Sequence, residues 1–192
     1  MFAMLCQPFR LATPADGAVL ARFIMWAGEG LPFLVWRDLA KPGEDPWDVG
    51  ARRMAAKAAA GEVVVGDVDG TAVAGLMGYP ITRAEPVDDL PPRFRPLQAL
   101  ENRALGSWYV HVLATVPEAR GQGWGGRLLD LAEAMAARQD LRAMSIIVSD
   151  ANHGARALYE RHGYCEVARE RAVKDGWENP VQDWVLLMKH LT

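Results

Sequence analysis

Four glycines in six residues, Gly121, Gly123, Gly125 and Gly126, sit in the string R-G-Q-G-W-G-G-R that starts at Arg120. Each costs about 0.5–1 kcal/mol of backbone entropy against alanine, so a run of them calls for a function. The chemistry they offer is anion binding. Peptide N–H groups cleared of side chains at the start of a helix aim partial positive charge outward, and phosphate is their commonest occupant. Positions 121 to 126 also satisfy G-x-G-x-x-G, with Asp150 at the end of the next expected strand, as in a dinucleotide site. That reading wants its first glycine directly at a strand end, whereas Pro117, Glu118, Ala119 and Arg120 intervene. A second mononucleotide half is also expected to be missing after Asp150. No Gly-Lys-Ser/Thr occurs, so the Walker pattern is absent.

The loop must be held by the elements on either side. Tyr109 to Val116 is rich in β-branched and aromatic residues and reads as a strand, which Pro117 stops because it has no N–H for the ladder. Arg127 to Arg138 reads as a helix with Leu128, Leu131, Ala132 and Met135 on one stripe. Downstream, S-I-I-V-S-D-A-N-H-G-A-R-A-L-Y-E-R-H-G-Y predicts a strand over 142–149 and a helix over 152–162. Asn152 opens that helix, and Tyr159 follows seven residues later.

Two strings, R-G-x-G-x-G after Val116-Pro117 and N-x-x-A-x-x-L-Y-x-x-x-G-Y from Asn152, resemble the two cofactor motifs of the GNAT N-acetyltransferase superfamily. The interval between them holds one helix and one strand, as that family requires. The resemblance is specific over the C-terminal half and rests on the order of elements before it. It implies an α/β (α+β) fold: a mixed, mostly antiparallel central sheet with a splayed parallel strand pair, flanked by helices. It implies acetyl-CoA as co-substrate, with the acetyl group passing directly to a primary amine in a ternary complex. Leu113, Ala114 and Thr115 would offer main-chain groups to the pantetheine arm. Arg120, Gly121, Gln122, Gly123, Trp124, Gly125 and Gly126 would hold the pyrophosphate, Gln122 and Trp124 through backbone N–H. Asn152 would touch the arm as well as cap its helix.

The same resemblance implies catalytic residues. Tyr159 takes the place of a phenol that protonates or stabilises the departing thiolate. His111, nine residues before Arg120, stands where relatives carry a Glu or His that deprotonates the acceptor. Strand alternation is taken to put His111 on one face with Leu113 and Thr115, opposite Tyr109. Glu101 is a substitute base, and the strand at 142–149 has no interior carboxylate. Plainer readings stand beside these: a flexible glycine turn, a simple Asn N-cap, a packed tyrosine and a hydrogen-bonded histidine. Cys165, with only His162 near it in sequence, is read as structural. A non-catalytic acyl-CoA sensor with the same fold remains the alternative, and a nicotinamide-binding protein a more distant one.

The rest of the chain fits mixed α and β structure. A short strand near Phe9–Ala12 precedes Thr13-Pro14, an N-cap followed by proline, and a helix to about Ala27 that buries Val19, Leu20, Phe23 and Trp26. Asp45-Pro46 repeats the signal before an Ala-rich helix ended by Gly61. Glu62–Asp69 and Thr71–Thr82 predict a hairpin around Asp69-Gly70. A proline-rich, acidic stretch follows, with a short helix near 97–105, and strands near 164–173 and 182–189 close the sheet.

Composition sets the outer bounds. The chain has 192 residues, 51% of them hydrophobic, which suits one domain over 1–192. A formal charge of -3 argues against nucleic acid as the main partner. No apolar run is long enough to cross a bilayer, and the N-terminus lacks the basic start and cleavage site of a signal peptide. A cytoplasmic protein is expected. Cys6 and Cys165 are far apart and the four histidines show no ligand spacing, so neither a disulfide nor a metal is expected. A homodimer is compatible with the fold, though no residue specifies one. The acceptor side would draw on Trp26, Phe33, Trp36 and Trp47, with Glu85, Asp88 and Asp89. Those residues suit an organic cation, or else core packing and a solvated loop. A small amine, an amino acid and a peptide N-terminus stay open.

Overall fold

The Asp69-Gly70 pair turns the chain with φ of 50° and 82°, the two positive values that a tight hairpin matching the strand twist needs. Asp67 secures it by accepting the Gly70 N–H at 2.8 Å. The computed structural model describes residues 5–191, so part of the N-terminal stretch read above for a signal peptide lies outside the described residues. The strands are β1 (Phe9–Leu11), β2 (Val63–Val68), β3 (Thr71–Pro80), β4 (Trp108–Thr115), β5 (Ala143–Ser149), β6 (Cys165–Arg171) and β7 (Asp183–His190). They form one sheet in the order β1-β2-β3-β4-β5-β7-β6. The helices among the described residues are α1 (Gly17–Ala27), α2 (Leu31–Leu39), α3 (Pro46–Ala59), α4 (Arg95–Glu101), α5 (Trp124–Ala137) and α6 (His153–Arg161).

Antiparallel ladders join β1 to β2, β2 to β3, β5 to β7 and β6 to β7. The β4–β5 ladder is parallel and short: Trp108 faces Met144, Tyr109 faces Ser145 and Val110 faces Ile146. Past Val110, β4 runs on to Thr115, while β5 stays paired with β7 as far as Ser149 opposite Trp184. The mixed, mostly antiparallel sheet with a parting parallel pair is therefore present.

The chain divides into two compact units. One comprises residues up to Met77 with Val112–Leu128, the other Gly78–His111 with residues from Leu129 onward. In the first, Leu20, Phe23, Trp36, Met54, Val63 and Val65 are buried together. Close approach explains two of its glycines: a Cβ on Gly50 would lie 2.6 Å from the Trp36 ring, and one on Gly75 2.5 Å from the Phe23 ring. In the second, Trp108, Met144, Ile146, Leu186 and Leu187 are buried. Its fully buried Ser107 and Ser145 hydroxyls meet at 2.6 Å, and Ser107 Oγ also donates to the Ala104 carbonyl. Trp177 stacks on Trp184, centroids 5.5 Å apart and planes 4° from parallel, with Lys174 Nζ 4.9 Å from the Trp177 ring centre.

Four elements differ from the sequence reading. Helix α1 begins at Gly17, after a 3-10 turn over Pro14–Asp16, and leaves Val19 and Trp26 half-buried. Helix α2 was not anticipated; Glu29 and Gly30, both at positive φ, end one helix and let another begin at Leu31 with Pro32 in its first turn. Helix α4 starts two residues early, at Arg95, and residues 102–104 tighten into a 3-10 turn. Helix α5 starts at Trp124 rather than Arg127, so Gly125 and Gly126 belong to its first turn.

Candidate active site

The glycine loop is built by backbone conformation. Gly121 has φ of 74° and Gly123 of 83°, in the left-handed region that side chains disfavour. A Cβ on either would meet nothing within 4 Å, so conformation and not crowding demands glycine, and the space beside both is open. A 3-10 turn over Pro117–Ala119 enters the loop, and the Arg127 N–H donates to the Gly123 carbonyl at 3.1 Å as α5 begins. The N–H groups of Trp124, Gly125 and Gly126 thus fall in the helix's first turn, where no intrahelical acceptor exists.

Side chains fasten the loop from behind. Trp124 is 6% exposed and lies over Gly66, where a Cβ would come within 2.5 Å of its ring. Its indole meets the Phe9 ring edge-on at 6.2 Å, and the Arg127 guanidinium sits 4.6 Å from its ring centre. Gln122 Nε2 donates to the Glu118 carbonyl at 3.1 Å, so its side chain is tied to the preceding turn. Arg120 is exposed, donates through Nε to the Thr115 carbonyl at 3.3 Å, and lies 5.5 Å above the Trp26 ring. Leu113 and Thr115 are half-buried and Ala114 is buried on β4. An open loop of positive-φ glycines feeding a 14-residue helix fits a diphosphate ester such as that of CoA.

The remaining candidate side chains lie in the other unit. Asn152 Oδ1 accepts the Ala155 N–H at 3.1 Å and so caps α6. Two turns on, Tyr159 is buried, with its ring 6.0 Å from that of Tyr164. His111 is exposed on β4, its ring 5.8 Å from Tyr79 and 5.8 Å from Tyr109. The Tyr79 hydroxyl donates to Glu101 Oε2 at 3.0 Å. Burial raises the Glu101 carboxyl above its ordinary pKa, opposed by that hydrogen bond. Burial also raises the Tyr109 phenol, and the negative Glu101 and the neighbouring Tyr79 and Tyr159 push it further. Tyr79 is raised by burial first and then by Glu101.

Tyr79 thus brings His111, Tyr109 and Glu101 together, whereas the ring contact of Tyr159 is with Tyr164 and its charge is felt at Tyr109. Tyr109 is not opposite His111 as the sequence reading has it: two residues apart on one strand, they share a face, and their rings lie 5.8 Å apart. Tyr79 comes from β3, and nothing local announces it. The aromatics proposed for the acceptor side pack mostly on one another. Trp36 is buried, with Trp47 at 5.5 Å, and Trp47 in turn lies 6.0 Å from Phe33. Glu85 pairs with Arg83 at 2.6 Å, and Asn102 binds its backbone at both N–H and carbonyl. Cys6 and Cys165 are exposed thiols. Among the described residues no helix is long and apolar enough to cross a membrane.

The model of the Acetyltransferase (GNAT) family matches residues 33–164, more than half of the chain and including both motifs. The chain belongs to the GNAT acetyltransferase family. Members of this family transfer an acyl group from acetyl-CoA. An uncharacterized N-acetyltransferase, YhfO of Bacillus subtilis (strain 168), is 41% identical over 54 residues, which are 28% of this chain and 36% of that protein. The alignment therefore spans about a third of that relative's length. Among solved structures, the polyamine N-acetyltransferase of Drosophila melanogaster superposes with a TM-score of 0.66 at 17% identity, covering 95% of this chain and 99% of that one. A GNAT acetyltransferase of Elizabethkingia anophelis with acetyl-CoA bound gives 0.50 at 16% identity, over 67% and 75%. At these identities the GNAT fold is what the structures share.

Proposed function

We propose that this GNAT chain, taken as a single domain over 1–192, moves acetyl from acetyl-CoA to a primary amine by direct transfer in a ternary complex. The observation that supports the reading is the glycine loop, with Gly121 and Gly123 at positive φ beside open space and leading into the first turn of α5. Acetyl-CoA would supply the acetyl thioester. As the amine nitrogen bonds to the carbonyl carbon and the C–S bond breaks, one proton must leave nitrogen and one must reach sulfur. His111 takes the first, directly or through water, and Tyr159 gives the second. Peptide N–H groups from Arg120 to Gly126 hold the pyrophosphate, and Leu113, Ala114 and Thr115 offer main-chain groups to the pantetheine arm. A cytoplasmic location belongs to the same proposal. Family membership does not favour the binding-only sensor.

The test is a thermal-shift comparison of acetyl-CoA, CoA and NADH. A ligand at a hundred times its dissociation constant adds about 2.7 kcal/mol, or roughly 5–10 °C for a chain of this length. The expected outcome is a rise with both CoA species and none with NADH, followed by thiol release when amines are added. A rise confined to NADH, or none at all, would overturn the cofactor and the catalytic roles together.

A further inference from the structure

Several part-buried carboxylates elsewhere are matched by cations, and Asp150 is matched by peptide N–H groups. Arg10 serves Asp16 and Asp67, Lys189 serves Glu133, and Arg169 serves Asp183. Glu101 differs. It is half-buried at the end of α4, and among the described residues no lysine or arginine pairs with it; its one hydrogen bond is from the neutral Tyr79 hydroxyl. A carboxylate removed from water is ordinarily paired, because one phenol bond replaces little of its lost hydration. Burial outweighs that bond in setting its acidity.

The surroundings suit an organic cation. Tyr79 is 40% exposed, and its ring is backed by the buried Tyr109 ring, 5.4 Å away and edge-on. An aromatic face beside a carboxylate attracts ammonium and guanidinium groups by two electrostatic routes. Tyr79 also links this carboxylate to the reacting centre, since its ring touches the His111 imidazole while its hydroxyl reaches Glu101. We propose that Glu101 and the face of Tyr79 form a cation subsite for the acceptor, holding a second ammonium or guanidinium group while the reacting nitrogen lies at His111. The acceptor class is an amine with a second cationic group about one tyrosine length away; an acceptor with a carboxylate at that place is repelled. The inference rests on the acetyl-transfer reading for the position of the reacting nitrogen.

The experiment uses the full chain, acetyl-CoA and a matched pair of acceptors, 1,4-diaminobutane and butylamine, read by thiol release. The wild type should favour the diamine in kcat/KM, chiefly through KM. Glu101→Gln keeps an acceptor oxygen for Tyr79 and removes the charge, so the diamine-to-monoamine ratio should fall about ten- to a hundredfold, the worth of a charged hydrogen bond. Glu101→Asp should recover part of it. An unchanged ratio in Glu101→Gln, including the case where both rates fall together, overturns the subsite. If neither amine is acetylated, titration calorimetry of 1,4-diaminobutane into wild type and Glu101→Gln decides it separately. Tighter binding to wild type keeps the subsite and sinks the transfer reading, whereas equal binding sinks the subsite.

Discussion

In the glycine loop, chemistry is offered by peptide N–H groups, and side chains such as Trp124 and Gln122 act from behind as fasteners. Around His111 the arrangement is reversed: under the proposed transfer, phenols, an imidazole and a carboxylate from β3, β4 and α4, with Tyr159 of α6, would carry the chemistry, and the backbone would only place them. The two regions should therefore fail differently. Adding a methyl group to the loop should hurt binding and stability, and removing a functional atom from the cluster should hurt turnover while the fold survives.

Tyr159→Phe is the largest test. Loss of a general acid should lower kcat by about 10²–10⁴-fold while the acetyl-CoA thermal shift stays near that of the wild type. Unimpaired turnover would remove Tyr159 as the acid. His111→Ala should lower kcat/KM by about a hundredfold. A base works unprotonated, so the wild-type rate should climb with pH through the imidazole range, and the variant should lose that climb. A pH profile with the same rising limb in both proteins would dismiss His111.

On the loop side, Gly66→Ala pushes a methyl group into the Trp124 ring and should cost about 1–3 kcal/mol, seen as a midpoint lowered by several degrees. Gly123→Ala adds no clash but forces a side chain to positive φ, at about 1–2 kcal/mol, and should also shrink the CoA shift. Gly61→Ala is its control, with φ of 71° and equally open space, and should lose stability alone. Equal CoA shifts in the two variants would mean that the loop does not hold phosphate.

The smallest effects come from two carboxylates that titrate in opposite senses. Arg10 holds Asp16 below its ordinary pKa, against a smaller opposing effect of burial, so that contribution is complete above about pH 4 and disappears as pH falls through the lowered folded value. It should be about 1 kcal/mol or less. Glu101 is raised by burial, so its contribution is complete below about pH 4 and is lost as pH rises through the folded value. Midpoints measured between pH 3 and 7 should show the acid loss flattened in Asp16→Asn and the opposite trend removed in Glu101→Gln. Parallel curves for wild type and both variants would contradict these assignments.

Local signals made most elements legible. Thr13-Pro14, Asp45-Pro46 and Asp69-Gly70 each state a boundary in two residues, and the structure places elements at all three. The glycine loop was readable for the same reason, since glycine records a backbone conformation directly. Helix α2 was hidden because Gly28, Gly30 and Pro32 read as a break, although here they end one helix and start the next. Of the cluster, His111, Glu101 and Tyr159 could be named singly. The meeting of His111 and Glu101 at Tyr79 depends on long-range packing, which no local spacing encodes.

Each unit also carries its own optical label. Trp26, Trp36, Trp47 and Trp124 belong to one, and Trp108, Trp177 and Trp184 to the other. The near-parallel Trp177–Trp184 stack brings two indole transition dipoles close enough to couple, so the pair should leave an exciton band in circular dichroism that vanishes when the 172–181 segment opens. Emission from the first group and this band from the second would let one unlabelled sample report whether the units melt together or in turn.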